Sequence, residues 1–575
     1  KHKLNYSDII ETWGVPQLND SDHYLSKHKF ENITYHAMCH LSSCLFMDME
    51  KFRNENILAF AVDGGSDIVI EKDTDKKTPF IGCWSDTNDL QIYPVYSPGF
   101  LWDSMRCYYD IREGSLMALA SASKSEVYEE HVNIEDILVE NNVTVKKEKY
   151  EQVKKLIDQI ENLTEADAGT KFNFFDPRFS ERDNKISMVM KFVQKMSLRI
   201  MKRNIDKAIR SYGINPEETY LAMSGGFALN CPSNSYLLEE YGFKGFIAPP
   251  CVSDSGMALG IGLYSFYNEL GNTFEFKLKN AYYGYEDDLD AFLAKGEYRD
   301  YIESIEDFDE SQAVADIEEG PIIWFNGRAE IGPRALGARS ILGDPRKSET
   351  KDRLNEIKQR QWWRPVAPIV LKGQEKEWFE NSYDSPFMLH VLKIRADRED
   401  QVPAIVHEDK TARAQTIDEN GQGLLLKFIQ AFAHKTGVPI VCNTSLNDRG
   451  EPIINHIDEA VNFALRKGIK VSYFNGKRVL LKNHNKYQVI SPLERSLSTA
   501  VWRTREDREK FVKAFNPFEA DRYITLYYIY AKLENIDLLT DKDELKKLRI
   551  RSKIFFKTLS PFLKPIIDQI CSKEI

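Results

Sequence analysis

Two short runs with apolar centres, residues 57–63 (ILAFAVD) and 218–224 (ETYLAMS), each break off at a pair of glycines. That repetition constrains the fold more than any other feature. Runs this short and apolar read as strands of a sheet covered by helices. The pairs Gly64-Gly65 and Gly225-Gly226 let the backbone come close to a ligand or phosphate at the strand ends. A third run, residues 245–248 (GFIA), leads through Pro249-Pro250 to Ser253-Asp254-Ser255-Gly256. An α/β domain that gathers its ligand loops at the ends of strands is expected.

At 575 residues the chain exceeds one hydrophobic core. We expect a first domain over residues 1–300, a second α/β domain over 301–490 and a helical extension over 491–575. Residues 188–212 carry apolar side chains every three or four positions, which predicts a long amphipathic helix. Residues 150–163 have helical spacing inside a charged stretch, 122–180, that reads as an insertion or lid. The acidic residues 303–310 read as a linker ahead of a strand at 321–325, and residues 257–264 as a helix. The net charge of −11 argues against strong nucleic-acid binding. The sequence has no apolar run of the roughly 18 to 20 residues that spans a bilayer. Its first residues lack the apolar middle of a signal peptide. Eight scattered cysteines without a C-x-x-C pair fit a reduced compartment, so a cytoplasmic location is expected.

Four clusters carry chemistry. His36 and His40 stand four residues apart, which on a helix puts both imidazoles on one face, a common way to hold a divalent metal. Ordinary helix histidines have the same spacing. Asp63 precedes Gly64-Gly65, where a strand-end carboxylate can hold a metal and the glycines can approach a phosphate, although a plain β-turn has the same letters. Ser224-Gly225-Gly226-Phe227-Ala228-Leu229-Asn230 is a strand end entering a helix, a place that favours a nucleotide or phosphate. Asp254 opens a further helix, where a plain Asp cap would have the same letters.

The second half adds long motifs: 328–342 (RAEIGPRALGARSIL), Asp344-Pro345-Arg346, 363–368 (WRPVAP), 411–416 (TARAQT) and 443–453 (NTSLNDRGEPI). Polyanionic ligands demand several fixed guanidinium forks, and these arginines sit among Gly, Pro and aromatic residues.

Together the clusters resemble the nucleotide-binding domain shared by sugar kinases, Hsp70-type ATPases and threonylcarbamoyl-transfer proteins. The motifs of the second half look very similar to those of the O-carbamoyltransferases of nodulation-factor, cephamycin and tobramycin type, and the likeness covers roughly residues 33–480. It implies an actin/Hsp70-like ATPase-type first domain and a YrdC-like second domain. By this resemblance the chain is an ATP-dependent O-carbamoyltransferase that moves a carbamoyl group from carbamoyl phosphate, through a carbamoyl-adenylate, to a hydroxyl of a natural product, sugar or modified nucleoside. His40, Asp63 and Asp254 would bind one metal ion, iron, zinc or manganese, with His36 a fourth contributor. Mg2+ would accompany ATP. Arg334, Lys358, Arg364, Asn443 and Ser445 would hold carbamoyl phosphate. Gly64, Gly65, Gly225, Gly226, Asn230 and Arg413 would face the nucleotide. His36, Asp63, Lys358 and Arg364 are expected at the reacting centre.

The sequence departs from that family in three places. The opening strand and HDS-type loop have no counterpart ahead of the histidine pair, so an upstream segment or a partner chain is expected to supply them. Residues 1–60 are then expected to pack poorly, with an edge strand exposed. At 112–120 (REGSLMALA) Ser115 stands where relatives usually carry lysine. In 36–40 (HAMCH) two adjacent histidines usually come first. The competing readings are a threonylcarbamoyl-transferase-like enzyme acting on tRNA and a non-catalytic nucleotide-binding relative.

Overall fold

The computed structural model describes residue 13 and residues 30–65, 77–132 and 146–493. The helical extension expected over 491–575 lies outside these apart from its first three residues. The described residues build two mixed sheets and a separate two-stranded ladder. The first has five strands, β1 (Asn56–Ala61), β2 (Ile81–Asp86), β3 (Asp89–Pro94), β4 (Thr219–Ser224) and β5 (Gly245–Ile247), in the order β3-β2-β1-β4-β5. β1 pairs antiparallel with β2 and parallel with β4, and β4 runs parallel to β5.

Apolar residues fill β1 because both its faces are covered. Ile57, Ala59 and Ala61 enter one core with the helix Tyr35–Leu45, while Leu58, Phe60 and Val62 enter another with the helix Glu181–Tyr212. Side chains alternate along a strand, so two covered faces require apolar residues at consecutive positions. The long helix is capped by Ser180, which accepts from the Asp183 amide, and ends at Gly213 with φ 66°.

Three expectations change here. Of the stretch expected to pack poorly, the helix Tyr35–Leu45 and β1 are core: every residue of the helix is buried, and β1 is flanked by β2 and β4, so it has no exposed edge. Residues 1–12 and 14–29 lie outside the described residues. The helix Lys146–Glu161 is no lid, because its stripe of Val153, Leu156, Ile157 and Ile160 is buried in the core of the long helix. The acidic stretch expected as a linker forms a strand, β6 (Ile302–Asp307), at the edge of the second sheet. Its charges face water, a usual protection for an edge.

The second sheet adds β7 (Ile322–Phe325), β8 (Arg339–Gly343), β9 (Ala367–Leu371), β12 (Gln415–Ile417), β13 (Ile440–Ser445), β14 (Val471–Phe474) and β15 (Lys477–Leu481), and β10 (Leu392–Lys393) and β11 (Thr411–Ala412) form the separate ladder. Apart from the ladder, their order is β12-β9-β13-β8-β7-β14-β15-β6. Their core takes in Leu289, Phe292 and Tyr298, so it reaches back ahead of residue 301. None of the described helices is long and apolar enough to cross a membrane.

Candidate active site

Parallel pairing places the carboxyl ends of β1, β4 and β5 at one edge of the first sheet, where ligand loops of open α/β sheets gather. Asp63 follows β1, Gly225-Gly226 follow β4, and Asp254 lies beyond β5. The helix Tyr35–Leu45 brings its histidine pair to the same edge. It packs on Met257–Leu270 so closely that a Cβ at Gly260 would lie 1.8 Å from the Cys39 carbonyl oxygen.

His36 Nε2 is 3.0 Å from Asp63 Oδ2 and 3.1 Å from His40 Nε2, and Asp254 Oδ1 is 3.6 Å and 3.4 Å from the two rings. One donor atom from each of the four residues lies within 4.8 Å of the others. Burial alone would raise the Asp63 carboxyl. The His36 hydrogen bond, the charges of His40 and His36 and the Gly226 amide, 2.7 Å from Oδ1, instead hold it at about 2. A dianionic pair of carboxylates with two imidazoles suits a first-row divalent ion.

The back of the site fixes its orientation. Ser43 donates to the His40 carbonyl, and Ser224 lies 2.8 Å from Ser43, 3.2 Å from the Val252 carbonyl and 3.3 Å from His40 Nδ1. With its own proton given to Val252 or Ser43, Ser224 accepts from Nδ1–H, which leaves the Nε2 lone pair facing the carboxylates. Gly225 has φ 101°, and a Cβ there would lie 2.1 Å from the Val62 carbonyl oxygen. At Gly226 it would lie 2.6 Å from Asp63 Oδ1.

The second sheet contributes cations by a similar convergence. β13 is antiparallel to β8 and β9, so its end meets their beginnings, and the loops carrying Arg334, Arg364 and Ser445 share one edge. Arg334, Arg360, Arg364 and Arg413 face one another, and among the described residues none forms an ion pair with a carboxylate. Burial and the charges of Arg413 and Arg364 lower Arg334 to about 9. Burial with Arg364 and Arg413 lowers Arg360 to about 9, and burial with Arg413, Arg112 and Arg449 lowers Arg364 to about 10. Nε of Arg334, Arg364 and Arg413 is buried without a partner in the protein. Mutually repelling guanidiniums with unused donors are prepared for a polyanion.

Lys358 Nζ donates to the Ser445 carbonyl oxygen at 2.7 Å and to the carbonyl and side chain of Asn447. Burial and Arg360 push it down to about 7, against Asp448 and Glu451. Its donors are engaged within the protein, so what it offers a bound anion is charge.

One cavity of about 2140 Å³ joins the two groups, with His36, Asp63, Gly64, Gly65, Gly226, Asn230 and Asp254 on one side and Arg334, Lys358, Arg364, Arg413 and Ser445 on the other. Arg364 reaches across the seam and donates to the Ser115 hydroxyl, in the segment where lysine was expected. Three residues expected in the site stand behind its wall. His40 is buried and turns only its Nε2 toward the carboxylates. Gly225 packs on β1. Asn443 donates to the Ala335 carbonyl at 3.0 Å, under the loop that carries Arg334. Asn230 lines the cavity but caps the helix Cys231–Tyr241 by accepting from the Ser233 amide.

Much of the long arginine motif is architecture. Glu330 Oε1 accepts from the amides of Leu336, Ala338 and Arg339, and Arg339 lies 3.6 Å over the Phe325 ring with its two terminal nitrogens on backbone carbonyls. Arg360, Asn447 and Arg449 line the cavity and were not singled out as site residues in the sequence, and Ser115, noted there only as a departure from the family, lines it too. Arg360, two positions beyond Lys358, could have been found from its spacing. Ser115 carries no signal by itself.

Fold and site define an α/β protein in which a His/Asp cluster suited to a cation and a guanidinium-lined wall suited to an anion share one cavity. Residues 23–263 match the family described as Carbamoyltransferase N-terminus, and residues 314–481 match Carbamoyltransferase C-terminus. The chain belongs to the carbamoyltransferase family. It is 39% identical over 252 residues to nodulation protein NolNO of Sinorhizobium fredii, covering 42% of this chain and 37% of that protein. It is 35% identical over 255 residues to a 3'-hydroxymethylcephem-O-carbamoyltransferase of Amycolatopsis lactamdurans, covering 44% and 47%. These matches span less than half the length of either relative. A solved Sua5 structure from P. abyssi shares 15% identity over 25% of this chain and 41% of its own, with a TM-score of 0.19, and nothing about the fold rests on it.

Proposed function

We propose that the protein is an ATP-dependent O-carbamoyltransferase acting on a hydroxyl of a small molecule, with an ATPase-type first half and a YrdC-like second half. The observation that carries this reading is the single cavity bounded by the His/Asp set of the first sheet and the unpaired guanidiniums of the second. The name of the cephem relative points to a hydroxyl acceptor here as well.

In the cationic half, Arg334, Arg364 and Arg413 bind the phosphates of carbamoyl phosphate and ATP, Lys358 adds charge, and Ser445 borders the donor. Atom balance requires one water: carbamoyl phosphate gives up inorganic phosphate, and a carbamate oxygen attacks the α-phosphorus of ATP with loss of pyrophosphate. The fixed guanidiniums neutralise the charge that gathers on the departing pyrophosphate. At the other end, the acceptor hydroxyl attacks the carbamoyl carbon, AMP leaves and the hydroxyl proton is released. Gly64, Gly65 and the Gly226 amide border the path of the adenylate phosphate. His36, His40, Asp63 and Asp254 would hold a divalent ion, which would supply Lewis-acid polarisation of the group being transferred. Formation and transfer within one cavity shorten the time the adenylate is exposed to water.

The test is exchange of labelled pyrophosphate into ATP by the purified protein, followed by mass spectrometry of a metabolite extract for the gain of one carbamoyl group. Exchange should require carbamoyl phosphate. Exchange driven by bicarbonate and threonine instead would assign the threonylcarbamoyl chemistry and sink this reading.

A further inference from the structure

The proposed reaction leaves one part of its donor without a partner. Guanidinium and ammonium groups only donate hydrogen bonds, so the cationic half serves the oxygens of carbamoyl phosphate. A carbamoyl group also carries an amino group, whose N–H bonds need an acceptor.

His407 lines the same cavity, in the turn that leads into β11, where its amide donates to the Thr411 carbonyl at 2.9 Å. Its Nδ1 is 3.2 Å from Thr411 Oγ1. The Thr411 hydroxyl is 2.7 Å from Asp409 Oδ1, which also accepts the Thr411 amide at 3.1 Å. A carboxylate only accepts, so the single hydroxyl proton goes to Asp409, and Thr411 Oγ1 is left to accept from Nδ1–H. The tautomer is thereby fixed, and Nε2 carries the bare lone pair. That atom is buried and has no hydrogen-bond partner in the protein. Burial lowers the imidazole pKa to about 4; Asp409 opposes the shift, and Arg413 and Lys351 add to it. The ring is therefore neutral, and its free nitrogen is an acceptor at working pH.

Resting on the reading above, we infer that His407 Nε2 accepts a hydrogen bond from the amino group of the carbamoyl donor and so selects carbamoyl over acyl phosphates. The shape-matched competitor, with methyl in place of amino, leaves this nitrogen buried and unpaired, a cost a site built for a donor does not recover. Glu330 Oε2 is also a buried acceptor without a partner on the cavity wall, but its carboxylate is the charge partner of Arg339. An adenine amine also carries N–H donors. His407, however, lies within electrostatic reach of Arg413 in the anion cluster, whereas an adenine sits a ribose away from its phosphate.

The test uses two stable phosphonates that differ only at this group, phosphonoacetamide with NH2 and acetonylphosphonate with CH3, titrated calorimetrically into the full chain. The wild type should prefer phosphonoacetamide by on the order of tenfold or more. His407→Phe should bind both with the acetonylphosphonate affinity of the wild type, which also reports a folded site, and should bind ADP unchanged. Thr411→Val leaves the imidazole but no acceptor for Nδ1–H, and should cut the preference by about threefold or more. A His407→Phe protein that keeps the preference, or a Thr411→Val protein that keeps it in full, overturns the assignment of His407 alone. Loss of ADP affinity with the preference retained moves His407 to the adenine and overturns it as well. If the wild type binds neither phosphonate, the carbamoyl-phosphate reading falls and this inference falls with it.

Discussion

Arg364 is held at about 10 by burial and by the charges of Arg413, Arg112 and Arg449, and its Nε has no partner. Its removal relieves repulsion in the empty protein but deprives a bound polyanion of a buried fork, typically about 2–5 kcal/mol. Arg364→Ala should therefore lose carbamoyl-phosphate-dependent pyrophosphate exchange by roughly thirtyfold or more while its melting temperature does not fall. Lys358 gives the pH dependence. Its pKa is lowered to about 7, so in the empty site its charge is present below that pH and lost above it. A bound anion raises the pKa again, so binding takes up a proton and donor affinity should fall as pH rises from about 6 to about 8.5. Calorimetry in buffers of different ionisation enthalpy reads the proton directly, and Lys358→Met should abolish the uptake. On the opposite wall, His40→Ala should lose the bound divalent ion. Ser224→Ala, which removes the acceptor behind that ring together with its contacts to Ser43 and the Val252 carbonyl, should weaken the ion by about 10- to 100-fold. Metal analysis after dialysis against a weak chelator checks both. Undiminished metal in His40→Ala would leave the histidine pair a purely structural feature.

At the scale of elements, the loop after β4 is fitted to the end of β1 with no room for a side chain. Gly225→Ala puts a Cβ into the Val62 carbonyl at a φ of 101°, and should destabilise the fold by about 1–3 kcal/mol in chemical denaturation. Gly226→Ala meets only the tip of the Asp63 carboxylate. It should unfold near the wild-type midpoint yet lose metal affinity, because the carboxylate must turn away from the Gly226 amide. Equal stability losses in both would mean that the loop is a packing device without bearing on the cation site. The strand runs and the glycine pairs were readable in the sequence, since a doubly buried strand and a close loop need those residues. β6 was not readable, because an edge strand with one face in water carries glutamates as readily as a linker does.

For the whole molecule, the cavity spans the two halves, and Arg364 bridges them through Ser115. If the adenylate passes inside, Asp254→Ala should keep pyrophosphate exchange and lose transfer, and Arg364→Ala should do the reverse once supplied with intermediate. Mixing the two variants should restore little product, since an adenylate released into water meets hydrolysis before it meets a second protein. Full recovery in the mixture would show an intermediate that diffuses freely, and product counted per ATP consumed is the measurement.

The sequence by itself determined the two α/β halves, the histidine and aspartate set and the stretches rich in arginine, because each is written in local spacing or in a contiguous motif. Only the tertiary structure decided which arginines serve the cavity and which hold the loop. Arg334 and Arg339 stand five positions apart in one motif, yet one faces the cavity and the other lies on Phe325. It also decided that Asn443 and Gly225 stand behind the wall, that the helix Tyr35–Leu45 and β1 form core, and that His407 offers a bare nitrogen. The reason is physical: a side chain's direction, its tautomer and its burial depend on partners from other strands, such as Thr411 beneath His407 or β2 and β4 beside β1, and those partners meet only on folding.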